Sequence, residues 1–76
     1  MGRRSSRVTG KDVVAALRRL GYDLRDVRGS HHTLRHPERG GRVTVPVHGT
    51  DTLAPKTLQS ILDQAGLTED ELREAM

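Results

Sequence analysis

Two amphipathic helical stripes, each closed by a glycine, bracket three short strand-like segments, and that pattern leaves a 76-residue chain few ways to fold. Val13, Val14, Leu17 and Leu20 fall at i, i+1, i+4 and i+7, the apolar face of one helix. Thr9, with Asp12 three residues on, has the form of an N-terminal capping box, and Gly21 stands where a left-handed residue ends a helix. A first helix is therefore predicted over residues 10–20, with Arg18 and Arg19 suited to its negative end. Leu58, Ile61, Leu62 and Ala65 repeat the stripe at i, i+3, i+4 and i+7, between Pro55 in the first turn and Gly66 at the close. Thr68-Glu69-Asp70-Glu71 is a second capping-box pattern, opening a short acidic helix that runs to about Ala75 with Leu72 as its apolar contact.

Between the stripes, residues 22–28 read as a strand of imperfect alternation, because Tyr22 and Leu24 share one phase and Val27 has the other. An extra residue in a bulge leaves such a trace. Gly29-Ser30 is a two-residue hairpin link, and residues 31–36 form the second strand. Pro37-Glu38-Arg39-Gly40-Gly41 is the next turn, and residues 42–47 form the third strand, in which Val43, Val45 and Val47 share a parity. Two single-striped helices must pack on the same side of a three-stranded meander. The expected fold is an α+β two-layer sandwich with one sheet face left open and a short extra helix at the C-terminal end.

The core of such a chain is thin, since a domain this small buries only about 60–65% of its unfolded surface. With no Phe, no Trp and one Tyr, that core is aliphatic. The absence of cysteine excludes disulfides, thiolate metal sites and a cysteine nucleophile, and fits a reducing cytoplasm. No apolar run approaches the length of a signal peptide or a membrane span. Residues 1–8 lack any apolar period and are expected to form a flexible basic arm ahead of a single domain at 9–76. Charge is unevenly spread. Residues 1–49 carry ten Arg and one Lys against four acids, a balance of +7, while residues 50–76 carry two cations against six acids, a balance of −4. A basic half of this kind attracts polyphosphates.

Strand parity sorts the candidate site residues. Leu34 directs its parity toward the helices, so His32 and His36 lean inward, while His31, Thr33 and Arg35 face out. In the third strand the valines point inward, and Arg42 and Thr44 join the open face. A histidine among arginines and hydroxyls suits a phosphodiester: the imidazole exchanges a proton near neutrality, and the guanidinium balances charge growing on the phosphate. An exposed sheet face is also commonly polar for solubility alone. His32 fits a half-buried histidine bonded to backbone, His36 a turn residue, and His48 either a hinge or a proton-transfer group. No helical i, i+4 histidine pair and no supporting carboxylate spacing points to a metal, so none is expected, nor any cofactor.

Gly29-Ser30-His31-His32, then Val43-Thr44-Val45-Pro46-Val47-His48, then residues 53–67 from Leu53-Ala54-Pro55-Lys56-Thr57-Leu58 onward together resemble the HicA (YcfA-like) toxin family over roughly Lys11 to Leu72. The resemblance implies a double-stranded-RNA-binding-domain-like α-β-β-β-α fold. It also implies an endoribonuclease that cuts mRNA and arrests translation until a cognate HicB-type antitoxin covers its active site. It places the essential histidine in the Gly-Ser-His block, which here is His31. Members that read Gly-Ser-Asn-His point instead to His32, the second choice. Lys56-Thr57 departs from a common Gly-Thr, which makes Lys56 a phosphate contact or a helix surface residue.

The expected mechanism is metal-independent transesterification. His31 serves as base on the ribose 2′-hydroxyl or as acid for the leaving 5′-oxygen, with His32 or His48 as the second proton-transfer group. Arg35 and Arg42 hold the phosphate, and Ser30, Arg28 and Lys56 complete the expected RNA contacts. The free chain is expected to be a monomer that forms a hetero-oligomer with its antitoxin. Two other readings use the same residues: an RNA-binding module of the same fold without catalysis, and a protein-interaction domain whose acidic tail docks a basic partner.

Overall fold

The computed structural model describes residues 8–76. The expected basic arm lies outside the described residues except for Val8. That residue is buried, and its carbonyl accepts the Leu53 N–H at 2.8 Å. Six elements follow: α1 (Gly10–Arg19), β1 (Asp23–Arg28), β2 (His31–His36), β3 (Gly40–Pro46), α2 (Pro55–Ala65) and α3 (Glu69–Glu74). The strands form one antiparallel sheet in the order β1-β2-β3. This is the double-stranded-RNA-binding-domain-like α-β-β-β-α arrangement with an additional C-terminal helix, a small two-layer α+β domain.

Local sequence accounts for the element ends. Asp12 N–H donates to Thr9 Oγ1 at 3.1 Å and Thr9 N–H to Asp12 Oδ2 at 3.2 Å, a reciprocal cap that begins α1. Thr68 and Glu71 repeat the device at α3, with bonds of 2.8 and 3.1 Å. β3 begins at Gly40, two residues before the expected start. Gly40 pairs with His36, and the register then shifts before Arg42 meets Arg35, so one residue bulges out of the ladder. The φ values of +69° and +71° at Gly40 and Gly41 make that return possible. His36 completes the turn: its Nδ1 accepts the Glu38 and Arg39 amides at 3.1 and 3.2 Å, the turn role expected of it.

Val13, Ala16 and Leu17 of α1, Leu58, Ile61, Leu62 and Ala65 of α2, and Leu72 of α3 close over Leu34, Val43 and Val45 of the sheet. The one aromatic residue of the sequence joins distant parts of this core. Tyr22 is buried, its hydroxyl donates to the Ala65 carbonyl at 3.0 Å, and its ring meets the His36 imidazole edge-on at 5.1 Å between centroids. Arg19 secures the chain end, its Nη1 donating to the Ala75 and Met76 carbonyls at 2.9 and 3.2 Å. The helices gather over β3, where α2 and α1 both pack, rather than over the whole sheet. β1 overhangs them, exposed at every residue but Leu24.

The first residue of α1 lies against the end of β3. Gly10 is buried, and a Cβ there would overlap the Pro46 carbonyl oxygen. Alanine normally gains about 1 kcal/mol over glycine within a helix. Here the overlap is with backbone, and such overpacking costs about 1–3 kcal/mol. Gly10→Ala is therefore expected to destabilise the domain, read as a lower urea midpoint with an unchanged slope.

Candidate functional site

The β1–β2 hairpin creates the site. Arg28 and His31 are cross-strand partners on either side of Gly29-Ser30, a two-residue link. Gly29 has φ +59°, and no residue other than glycine has a positive φ among those described, which is the pattern of a type II′ turn. The link is tied down at its second residue. The Ser30 carbonyl accepts the Val47 N–H at 2.7 Å, which joins the hairpin tip to the chain leaving β3. His32 Nδ1 lies 3.3 Å from the same carbonyl. His31 is thus the first residue of β2, held between Arg28 on one side and Pro46 on the other.

Cross-strand partners share a face, so the pairing maps the open side of the sheet. One row is Arg28, His31 and Pro46, the next Asp26, Thr33 and Thr44, and the third Asp23, Arg35 and Arg42. Asp26, Arg28, His31, Thr33, Arg42 and Thr44 line one open cleft. Arg35 lines the adjoining smaller hollow, with Asp23, Arg25 and His36. Arg35 and Arg42 stand directly opposite each other, an arrangement of like charges that weakens a sheet unless an anion lies between them. Arg28 Nε donates to Asp26 Oδ2 at 2.9 Å, an exposed pair that orients the guanidinium and adds little to stability.

The sequence-derived candidates separate on this map. His31, Arg28 and Arg42 share the cleft, and Arg35 borders it from the neighbouring hollow. Ser30 supplies the turn and its anchoring carbonyl. His32 pairs with Val27 and Val45 on the helix-side face and is half-buried there, hydrogen-bonded to backbone. His48 is exposed, one residue beyond the Val47 amide that holds the hairpin tip. Lys56 is exposed in the first turn of α2 and does not line the cleft. Asp26 is the lining residue that strand parity missed. The register shift between Leu24 and Asp26 turns it to the open face, and the broken alternation of residues 22–28 was its only sequence signal. Among the described residues no group of three or more His, Asp or Glu converges as metal ligands would.

A sheet backed by helices on one side and lined on the other by arginines around an exposed histidine belongs to the double-stranded-RNA-binding-domain type of α+β fold. The model of the HicA toxin of bacterial toxin–antitoxin systems matches residues 10–67, most of the chain, and the protein belongs to that family. It is a toxin of a toxin–antitoxin pair, and its family implies a cognate antitoxin as partner. A comparison with curated proteins returns no match. α3, at Glu69–Glu74, lies beyond the matched residues. No helix among the described residues is long and apolar enough to cross a membrane.

The opposed arginines yield a test of stability. Arg42→Gln removes the like-charge contact while leaving Arg35 opposite Asp23, and is expected to raise stability by up to about 1 kcal/mol at low salt, the gain shrinking as salt screens it. Urea denaturation at two ionic strengths checks this.

Proposed function

We propose that this toxin is an endoribonuclease that cleaves mRNA by transesterification on the open face of its sheet. The observation that carries the reading is the exposed His31, held at the tip of an anchored hairpin in one cleft with Arg28 and Arg42. His31 Nε2 or Nδ1 takes the proton of a ribose 2′-hydroxyl. The freed oxygen attacks the adjacent phosphorus, the P–O5′ bond breaks, and a 2′,3′-cyclic phosphate forms while the leaving 5′-oxygen receives a proton. Arg28 and Arg42 balance the charge that gathers on the phosphoryl oxygens in the transition state, where fixed cations act most strongly. Arg35 extends the cationic track to the neighbouring nucleotide.

The second proton-transfer role falls to His48 rather than His32. His32 sits on the other face of the sheet, whereas His48 follows the residue bonded to the hairpin tip. A positioned histidine contributes about 10²–10⁴-fold, so the enzyme is slow, which is adequate for a toxin that needs few cuts. The cognate antitoxin silences it by covering this face, and the cell compartment that holds mRNA, the cytoplasm, is where both act.

Incubating the purified chain with a defined RNA, with and without chelator, tests the proposal. The expected products are a 5′-hydroxyl and a cyclic phosphate, formed equally in both conditions. His31→Ala is expected to lose about 10²–10⁴-fold in cleavage rate while still binding RNA, and His32→Ala to keep cleavage. RNA recovered intact after binding to the unaltered protein would instead favour a non-catalytic RNA-binding module.

The arginines give a separate readout. Each phosphate contact contributes about 0.7 to the log–log salt slope of single-strand binding. Arg28→Ala and Arg42→Ala are each expected to flatten that slope by about this amount in a fluorescence titration across salt concentrations.

A further inference from the structure

The two edges of the sheet are finished differently. Along β3, the Thr44 N–H is taken by Gln64 Oε1 at 3.0 Å, and Pro46 has no N–H to offer, so another strand finds little to pair with. β1 stands open. Val27, half of its surface in solvent, is the most exposed large apolar side chain among the described residues.

The sequence of this open strand, Asp23-Leu24-Arg25-Asp26-Val27-Arg28, is complementary to itself when read antiparallel. About a two-fold axis between residues 25 and 26, Asp23 meets Arg28, Leu24 meets Val27, and Arg25 meets Asp26 of a second copy. In a regular strand this register cannot form, because residues paired in it would point to opposite faces. The bulge removes that obstacle. Asp23 and Arg25 line one hollow of the open face, and Asp26 and Arg28 line the next. Leu24 and Val27 pair with Leu34 and His32 and so lie on the helix side. All four charged residues therefore share one face and both apolar residues the other, in each copy.

We propose that β1 is a homodimerisation edge, through which two copies of this chain join into one six-stranded antiparallel sheet. The contact is isologous: the same strand serves both protomers, and every pairing occurs twice. Charged residues and bulges ordinarily guard an edge against foreign strands. On this strand they guard against any strand except its own copy, since each charge meets its opposite and Val27 is covered by Leu24 of the partner subunit. A strand of six residues buries less than a standard interface of about 1,600 Å². The association is consequently weak and concentration-dependent, and the chain expected to be a free monomer is instead in monomer–dimer equilibrium. The pairing brings both histidine clefts onto the same side of a continuous sheet. It is independent of whether the cleft cuts RNA.

Sedimentation equilibrium over a wide range of protein concentration tests the proposal. The unaltered chain is expected to approach twice its monomer mass as concentration rises, and less so as salt is added. Asp23→Arg sets Arg against Arg28 of the partner subunit at both ends of the strand pair and is expected to hold the protein at monomer mass. The exchange Asp23→Arg/Arg28→Asp restores opposite charges and is expected to recover the dimer. Circular dichroism of each variant confirms that the fold is kept. A monomer mass for the unaltered chain at every concentration overturns the proposal. So does a dimer that survives Asp23→Arg, or one that the exchange fails to recover.

Discussion

Leu34, Val43 and Val45 commit the sheet to burying one face, and the arrangement of the remaining side chains follows from that commitment. All three are almost fully excluded from water beneath α1 and α2. Because strand side chains alternate strictly, a slip of one residue would carry these three into solvent and bring Thr33, Arg35, Arg42 and Thr44 into the core. No buried polar or charged residue is found among those described, so the aliphatic core has no means of accepting that exchange. The register that protects the core is thereby the register that aligns a histidine, two threonines and several arginines on the opposite surface. Fold and site are two consequences of one pattern of alternation.

Charge is arranged along the same direction. Glu69, Asp70, Glu71 and Glu74 lie on α3, which packs on α1 within the helix layer, whereas Arg25, Arg28, Arg35 and Arg42 belong to the sheet's outer surface. Lys11, Arg18 and Arg19 of α1 bring the helix layer close to balance, while the outer face keeps these four arginines against Asp23 and Asp26. A polyanion approaching from solution is drawn to the cationic face that holds His31. The opposed Arg35 and Arg42 fit the same logic. They are a local cost in the free protein that a bound phosphate would relieve, and stability is commonly conceded in this way where a protein meets its ligand.

The parts legible in the sequence were those set by local chemistry. Both capping boxes, the Gly29-Ser30 hairpin and the inward parity of Leu34 and the valines rest on residues a few positions apart, and each appears where its pattern placed it. The parts that escaped depend on how separate elements meet. A broken alternation signals a bulge without saying which residue is extra, and only the pairing with Thr33 puts Asp26 on the open face. Val8 has no periodic partner nearby, and it is buried because Leu53, 45 positions on, holds its carbonyl. Lys56 stands between a phosphate contact and a helix surface residue in the sequence, and in the fold it is exposed in the first turn of α2 and is not among the residues that line the cleft. The unequal cover of the sheet, full over β3 and thin over β1, is a tertiary property with no counterpart in either strand's own pattern.

The neighbours His31 and His32 show how far one residue of spacing divides two chemically identical groups. Both follow the same turn, and both are close to the Ser30 carbonyl that fastens the hairpin to the end of β3. His32 can donate from Nδ1 to that carbonyl, and its ring is half-buried between Val27 and Val45. That contact is a structural role: it braces the turn from the helix side. His31, one position earlier, has no share in that contact and points into the cleft among guanidinium groups. Those cations attract a phosphate, which would bring the neighbouring ribose 2′-hydroxyl to the proposed base. The brace and the proposed base thus share a single turn, and the Val47 N–H bond to Ser30 still holds that turn when the His32 contact is lost, in keeping with the cleavage expected of His32→Ala.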